Sequence, residues 1–144
     1  MKPFSVQRRI RFSDCDPAGI VFYPQYFVMF NGLLEEWVDG PLAIGFAELV
    51  TRRRIGLPTV RLEADFRAVS RFGDDVALSL EVERLGGRSL TLDLRCHAVG
   101  GGELRMAVRQ VIVTTSLETH QAIDVPPDLR AAIERQRVEA SDTP

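Results

Sequence analysis

The sequence predicts an α+β fold in which a curved antiparallel sheet wraps around one long central helix. First, residues 24–39 carry apolar side chains around most of a helical circumference, as a helix buried on nearly every side does. Second, the segments after residue 58 alternate apolar and polar residues with a period of two, as half-buried strands do. Third, runs of glycine at 86–87 and 100–102 separate two successive pairs of these segments, which is typical of hairpins. Such a helix needs a sheet that curves around it.

Length and composition indicate one ordinary globular domain. The chain has 144 residues, and we expect residues 1–144 to form a single domain. No apolar run reaches the roughly 18 residues of a membrane span, and the N-terminus has no apolar signal segment. A net charge of −2 gives no sign of a nucleic-acid surface. We therefore expect a soluble cytoplasmic protein with neither a membrane nor a nucleic acid as partner.

The first half of the chain reads as a strand, a turn and a long helix. Residues 4–12, FSVQRRIRF, alternate as a strand does. The turn DPAG, residues 16–19, follows from a proline that presets its φ and a glycine that permits the exit. The helix is predicted from about Pro24, which suits the first helical position, to Asp39. Gly40-Pro41 then ends it.

The second half reads as a meander of antiparallel strands. Four segments alternate with one apolar face each: TVRLEADFRA, DVALSLEVERL, SLTLDLRCHAV and ELRMAVRQVIVTT. In the last of them the apolar phase passes from Val108 to Val111, which we interpret as a bulge. A weaker helix at 42–54, a short strand within THQAIDVP and a terminal helix from near Pro127 complete the prediction. A dimer that continues the sheet across an edge would cover the exposed edge strand.

The stretch SDCDPAGIVFYPQYF, residues 13–27, places two carboxylates before an apolar run. An aspartate before Pro-x-Gly often caps its own turn, and we favour this role for Asp14. For Asp16 the residues alone leave a turn role and a catalytic role equally open. Cys15 lies between the aspartates, whose charges should raise the pKa of its thiol and make it a poor nucleophile. Cys96 reads as a buried free thiol.

The predicted helix begins without a side-chain cap. Its first N–H groups lack partners inside the helix, and Tyr23, at the cap position, has no short side-chain oxygen to accept from them. The positive end of the helix is therefore open to a ligand.

The segment FSDCDPAGIVFYPQYF, followed in order by RRRIGLPTVRLEADFRA, RFGDDVALSLEVERL, GRSLTLDLRCHAV and AIDVP, resembles the 4-hydroxybenzoyl-CoA thioesterase family of hotdog-fold enzymes over nearly the whole chain. The resemblance implies a hotdog fold and hydrolysis of an aromatic or other hydrophobic acyl-CoA. It implies that Asp16 is the catalytic carboxylate, as nucleophile or general base, and that Tyr23 donates its backbone N–H to the thioester carbonyl. It further implies a homodimer or homotetramer with active sites between subunits. We expect no metal or cofactor.

Further residues are candidates for substrate binding. The apolar run should line the acyl pocket, which nominates Gly19, Ile20, Val21, Phe22 and Tyr26. Asn31 is either a satisfied buried amide or a polar contact at the far end of that pocket. Arg88, which matches a basic position of the family, and nearby Arg84 are candidates for the CoA phosphates. The run Arg52 to Arg54 either contributes there or is a solvated surface.

Several alternatives stay open at this level. Glu35 and Glu36 are rival carboxylates on the helix, and Glu35 is our second choice after Asp16. A non-catalytic acyl-CoA-binding protein and an acyl-carrier-protein thioesterase compete with the acyl-CoA thioesterase. A hotdog dehydratase is disfavoured, because such enzymes usually pair a histidine with an acid near the helix and no histidine precedes His97.

Overall fold

A computed structural model describes residues 3–142. It contains two helices, α1 (Pro24–Asp39) and α2 (Pro127–Asp142), and the strands β1 (Phe4–Arg9), β2 (Ile55–Gly56), β3 (Thr59–Phe66), β4 (Asp75–Leu85), β5 (Ser89–Ala98), β6 (Leu104–Val113) and β7 (Thr115–Ser116). A five-stranded antiparallel sheet has the order β1-β4-β5-β6-β3, and β2 pairs separately with β7. The edges of the main sheet are therefore β1 and β3.

The predicted central helix is confirmed with its bounds. Pro24 occupies the first helical turn, and the Gly40 N–H donates to the Glu36 carbonyl at 2.8 Å. The side chains that bury α1 are Tyr26, Phe30, Leu33, Leu34, Trp37 and Val38. They share one apolar core with the inward rows of β4, β5 and β6. The α+β architecture expected from the apolar helix and the alternating strands is thus the one observed.

The interpretation of a bulge between Val108 and Val111 is wrong; the register shift in β6 lies at its start, between Leu104 and Met106. The pairing of β5 with β6 runs without a shift from Ser89–Val113 to Cys96–Met106. The inward row therefore includes Gln110, which is only 6% exposed. In the sequence, a polar residue at an apolar position resembles a shift in the alternation of apolar and polar residues. In the sheet the alternation continues, and the side chain of Gln110 is buried with its apolar neighbours.

Strand β3 departs from the predicted half-buried pattern. Val60 is 61% exposed, Leu62 43% and Phe66 53%. As an edge strand β3 has a neighbour on one side only, β6. No other segment within residues 3–142 buries these side chains, so the chain alone leaves an apolar sheet edge in contact with water.

Two minor predictions were wrong. The helix expected at 42–54 is reduced to a short helical segment that ends in a π-helical turn, Glu48–Arg52, because positive φ values at Ala43 and Gly45 prevent a helix from starting earlier. The stretch 119–126 forms no strand and makes only a single bridge between Ala122 and Thr115. Within the described residues, no helix combines the length and apolarity needed to cross a bilayer.

Candidate active site

Residues 14–22 form a closed turn in front of α1. The Asp16 N–H donates to the Ile20 carbonyl at 3.0 Å, and the Phe22 N–H donates to the Asp14 carbonyl at 2.9 Å. Gly19 takes a φ of +79°, which favours glycine. The Asp14 carboxylate accepts the Arg11 N–H at 2.8 Å, so it caps a backbone N–H as predicted, but of the short 3-10 turn Phe12–Asp14 that precedes the Asp16 turn.

Asp16 is half-buried on this turn. Its Oδ1 accepts the Ala18 N–H at 2.9 Å, which is the turn-capping bond that the residues alone allowed. No described residue donates to its Oδ2. One oxygen therefore anchors the carboxylate to the turn, and the other remains available for chemistry.

Both cysteines have thiol pKa values raised above the ordinary value. Loss of hydration raises the pKa of Cys15, and the charges of Asp14 and Asp16 raise it further. Burial raises the pKa of Cys96 to about 11. The expected rise in the pKa of Cys15 and the expected burial of Cys96 as a free thiol are both confirmed. For Cys15, desolvation raises the pKa more than the neighbouring carboxylates do.

The N-terminus of α1 leaves one backbone donor free beside the turn. Tyr23 caps the helix without a side-chain bond, and Pro24 has no N–H. The Gln25 N–H donates to the Phe22 carbonyl at 2.8 Å, and the Tyr26 N–H donates to the Tyr23 carbonyl at 3.2 Å. The Tyr23 N–H has no acceptor among residues 3–142. The sequence predicts unpaired N–H groups at the start of α1. Of the N–H groups of residues 23–26, only that of Tyr23 lacks an acceptor among the described residues.

A cavity of about 310 Å³ lies at this end of α1. The residues that line it include Ile20, Val21, Tyr23, Tyr26, Phe66 and Ser70. Asp16, Gly19 and Phe22 do not line it, although the Ile20 carbonyl that faces the Asp16 N–H belongs to a lining residue. The backbone of Asp16 is thus bonded to a lining residue, whereas its side chain is not part of the lining.

Aromatic rings join α1 to the edge strand at this cavity. The ring centroids of Tyr23 and Phe66 are 6.1 Å apart at an interplanar angle of 87°, and those of Tyr26 and Phe66 are 6.3 Å apart. The first contact is edge-on and the second is tilted at 49°, and aromatic contacts of these kinds stabilise the packing of α1 against β3.

Ser70 is a site residue that sequence reasoning missed. It is 1% exposed, its Oγ accepts the Tyr26 hydroxyl at 2.8 Å, and its carbonyl accepts the Val21 N–H at 2.9 Å. It therefore holds both α1 and the turn. A single serine between Val69 and Arg71 in a loop carries no sequence signal of that role.

An ion pair fixes the loop that carries Ser70. The Arg105 Nη1 donates to the Asp74 Oδ2 and to the Val69 carbonyl, each at 2.9 Å. The hydrogen bond from Arg105, followed by one from the Arg71 N–H, lowers the pKa of Asp74. The loop thus depends on an ionised Asp74.

Asp74 should stabilise the protein at neutral pH and lose that effect in acid. Its pKa is lower in the folded chain than in the unfolded chain, so its contribution is complete above about pH 4 and disappears as the pH falls below that value. Urea unfolding of wild type and Asp74→Asn should show a wild-type advantage at pH 7 that shrinks at pH 3. In an Arg105→Ala background the pH dependence of this difference should largely vanish. An advantage that does not change with pH would contradict the role of this pair.

A second cavity, of about 210 Å³, lies further along α1. Phe27, Phe30 and Asn31 contribute to it, and together with Tyr23 and Tyr26 they form one stripe of the helix. Asn31 is exposed, so the alternative of a satisfied buried amide does not hold. The surface between α1 and β3 thus carries two cavities, one at Tyr23 and one at Asn31, which have no lining residue in common; this surface is called the groove below.

The candidate phosphate ligands lie elsewhere in the chain. The start of β4 lies beside the turn, because the N–H of Phe72, just before β4, donates to the Gly19 carbonyl. Arg84 lies near the other end of β4, about 30 Å along the strand, and Arg88 follows that end. The Arg88 Nε also contacts the Asp124 Oδ1 at 3.0 Å. One chain alone does not bring these arginines to the turn.

The remaining candidates have structural partners or lie apart from the turn. Arg53 makes two hydrogen bonds with Asp128, at 2.7 and 2.9 Å. Glu36 pairs with Arg8 of β1. Glu35 is exposed about three turns into α1, away from the Tyr23 N–H.

Comparison with known proteins agrees with this architecture. The 4-hydroxybenzoyl-CoA thioesterase of Pseudomonas sp. (strain CBS-3) is 26% identical over 144 residues, covering 88% of this chain and 94% of the relative. A 1,4-dihydroxy-2-naphthoyl-CoA hydrolase of Synechococcus sp. (strain CC9311) is 26% identical, covering 86% of each chain. The solved structure of BH1999 gentisyl-coenzyme A thioesterase superposes with a TM-score of 0.80 at 25% identity, covering 90% of this chain and 99% of that one.

The family assignment rests on most of the chain. Residues 10–133 match the model of the thioesterase-like superfamily. The sheet and central helix are those of the hotdog fold, to which solved thioesterases of similar structure belong. The chain therefore belongs to the thioesterase-like superfamily and is a thioester hydrolase with a hotdog fold.

Proposed function

We propose that the protein hydrolyses the thioester of an aromatic or other hydrophobic acyl-CoA to the free acid and CoA. Asp16 acts as nucleophile or general base, and the Tyr23 N–H binds the carbonyl oxygen as it becomes negative. The observation that carries the proposal is the Tyr23 N–H, which has no acceptor among residues 3–142 and lies at the positive end of α1. Tyr23 lines the apolar cavity and directly follows the turn that carries Asp16.

The chemistry needs few groups. Either Asp16 attacks the carbonyl carbon and water hydrolyses the resulting anhydride, or Asp16 takes a proton from the water that attacks. In both routes the carbon–sulfur bond breaks and the thiolate of CoA leaves. A thiolate is a good leaving group, so no strong general acid is required. The hydrogen bond from the Tyr23 N–H stabilises the tetrahedral intermediate.

The acyl group is proposed to lie in the groove between α1 and β3. The stripe from Tyr23 to Asn31 and the exposed face of β3 provide apolar surface for a ring. The relatives named above act, by their names, on 4-hydroxybenzoyl-, 1,4-dihydroxy-2-naphthoyl- and gentisyl-CoA. All three are aromatic acyl groups, which supports an aromatic acyl group here.

A homodimer would complete this site. The apolar side chains of β3 are exposed and its outer edge has no neighbour within the described chain, so pairing with a second copy of β3 would bury them. Arg84 and Arg88 are too far from the turn to act in the same chain, and we propose that the CoA phosphates contact them on another subunit. Two such dimers would form the homotetramer implied by the family resemblance.

Release of free CoA tests the proposal. The purified protein is incubated with benzoyl-, hydroxybenzoyl-, phenylacetyl- and aliphatic acyl-CoA esters, and a thiol reagent reports the product. We expect turnover of at least one aromatic ester. Binding of these esters by calorimetry without release of CoA would indicate a non-catalytic acyl-CoA-binding protein, and absence of both would overturn the proposal.

Disruption of the β3 edge should dissociate the dimer and lower activity. Val60 is 61% exposed on β3 and lines neither cavity, so Val60→Asp would place a charge in the proposed interface without altering the acyl groove. We expect at least about a tenfold rise in the dimer dissociation constant, since burying an unpaired charge costs well over 1.4 kcal/mol. Light scattering across a dilution series measures it.

Val138→Asp is the matched control, because Val138 is 59% exposed but lies on α2. It should leave the dimer unchanged. A wild-type protein that is monomeric at all concentrations, or a Val60→Asp dimer as tight as wild type, would remove β3 from the interface.

A further inference from the structure

Ser70 holds Tyr23, the proposed oxyanion donor, from both sides. The Val21 N–H, two residues before Tyr23, donates to the Ser70 carbonyl at 2.9 Å. The Tyr26 hydroxyl, almost one helical turn after it, donates to the Ser70 Oγ at 2.8 Å. Because the Tyr26 N–H also donates to the Tyr23 carbonyl at 3.2 Å, the first turn of α1 is tied to this serine. One residue far away in the sequence thus sets where the Tyr23 N–H lies.

The loop that carries Ser70 also holds the turn of Asp16. The Phe72 N–H donates to the Gly19 carbonyl at 3.0 Å. Ile20 forms an antiparallel bridge with Arg71, and its carbonyl accepts the Asp16 N–H at 3.0 Å. The carboxylate and the oxyanion donor are therefore fastened to adjacent residues of one loop.

Ser70 is itself fixed against the core. It is 1% exposed, so water does not compete for its hydrogen bonds. Burial raises the pKa of Cys96 in β5 to about 11, and a hydrogen bond with Ser70 is among the effects that oppose this rise. The Val69 carbonyl next to it accepts the Arg105 Nη1 of β6 at 2.9 Å. The serine is thus anchored to the sheet through two strands.

The surroundings of Ser70 favour positioning over direct reaction. A serine nucleophile needs an adjacent base that takes its proton. Among residues 3–142, no histidine or carboxylate accepts a hydrogen bond from the Ser70 hydroxyl, and its oxygen already accepts from Tyr26. Ser70 therefore acts on the reaction through the residues that it holds.

We propose that Ser70 is a positioning residue of the thioesterase, which holds the Tyr23 N–H in the place relative to Asp16 that the reaction requires. This inference rests on the proposed function, because it takes these two residues as the oxyanion donor and the reacting carboxylate. Both groups must meet the thioester carbonyl in the reactive geometry, and a misplacement of about 1 Å can cost a factor of about 10² in rate. Loss of the Ser70 hydroxyl should therefore impair the chemical step more than it impairs binding.

Two variants remove the same hydrogen bond from opposite sides. Ser70→Ala deletes the acceptor and keeps the carbonyl that binds Val21, whereas Tyr26→Phe deletes the donor and keeps the aromatic ring. We expect each to lower kcat by about 10- to 100-fold, while KM changes less than about threefold, for the acyl-CoA ester that wild type hydrolyses best. The double variant should lose about as much as the more impaired single variant, because both changes break one interaction. Steady-state release of CoA measures all three.

Thr114→Val is the matched control. Thr114 is also 1% exposed, and its Oγ1 donates to the Ile123 carbonyl at 2.6 Å, beyond the end of β6 that lies away from the turn. Removing this buried hydroxyl should lower the Tm, as Ser70→Ala does, but should leave kcat unchanged. The ester is kept saturating, so an effect on the CoA contacts of nearby Arg88 would appear in KM alone. Thermal unfolding shows which variants fold, and Tyr26→Phe keeps the test valid should Ser70→Ala not fold.

The outcomes separate this inference from the proposed function. Unchanged kcat in both single variants, or losses that multiply in the double variant, would overturn the inference and leave thioesterase activity standing. A loss beyond about 10⁴-fold in Ser70→Ala would do the same, since losses of that size mark a residue that reacts with the substrate. No CoA release by wild type from any ester would instead overturn the proposed function itself.

Discussion

Asp16→Asn is expected to lower kcat for thioester hydrolysis by about 10²–10⁴-fold, the range that a positioned general base or nucleophile contributes. Asparagine keeps a side-chain oxygen that can accept the Ala18 N–H, so the turn should keep its shape. It cannot take a proton or attack as a carboxylate does. Steady-state release of CoA measures the loss, and calorimetry with an acyl-CoA should show nearly unchanged binding.

Glu35→Gln is the matched control for this prediction. It makes the same change on the rival carboxylate, which is exposed on α1 and distant from the Tyr23 N–H. We expect its kcat to stay within about twofold of wild type, since surface substitutions away from special features have small effects. Full activity in Asp16→Asn, or a larger loss in Glu35→Gln, would exclude Asp16 as the reacting carboxylate.

Tyr23→Pro is expected to lower kcat by about 10²–10³-fold relative to Tyr23→Ala, which is the cost of removing one oxyanion donor. Proline at this position deletes the backbone N–H. The φ of Tyr23 is −53°, which lies within the range that proline requires, so the exchange is compatible with the local backbone. Both variants lose the aromatic ring and its contact with Phe66, and only the proline variant loses the donor.

Circular dichroism and unfolding in urea should confirm that both Tyr23 variants fold. The difference in kcat between them then reports the N–H alone. Equal values would show that the thioester carbonyl is not bound at the start of α1, and the oxyanion site would have to be sought elsewhere.

Local signals made the elements predictable. Pro24 at the first helical position and Gly40 after the last one bound α1, because each residue has the backbone preference that its position requires. The strands were found because side chains alternate with a period of two wherever one face is buried. The turn at Asp16 to Gly19 follows from its proline and glycine. These are short-range properties of the chain.

Predictions that depended on long-range position were less reliable. The polar Gln110, between Val108 and Val111, led to the wrong prediction of a bulge. Only the register of β5 against β6 shows that Gln110 points inward. The apolar side chains of β3 suggested a buried face, although their exposure depends on the place of β3 at the edge of the sheet. Ser70 had no local signal, since its role arises from Tyr26 and Val21, which lie far away in the sequence.

The sequence by itself determined the central helix, the alternating strands, the turn that presents Asp16 and the uncapped start of α1. Only the tertiary structure decided which residues line the two cavities along α1, among them Phe66 and Ser70 in the first and Thr59 and Gln110 in the second. The physical reason is that capping, turn chemistry and periodicity act between residues close in the chain. The groove, in contrast, depends on strand order and register, which the packing of the whole core sets.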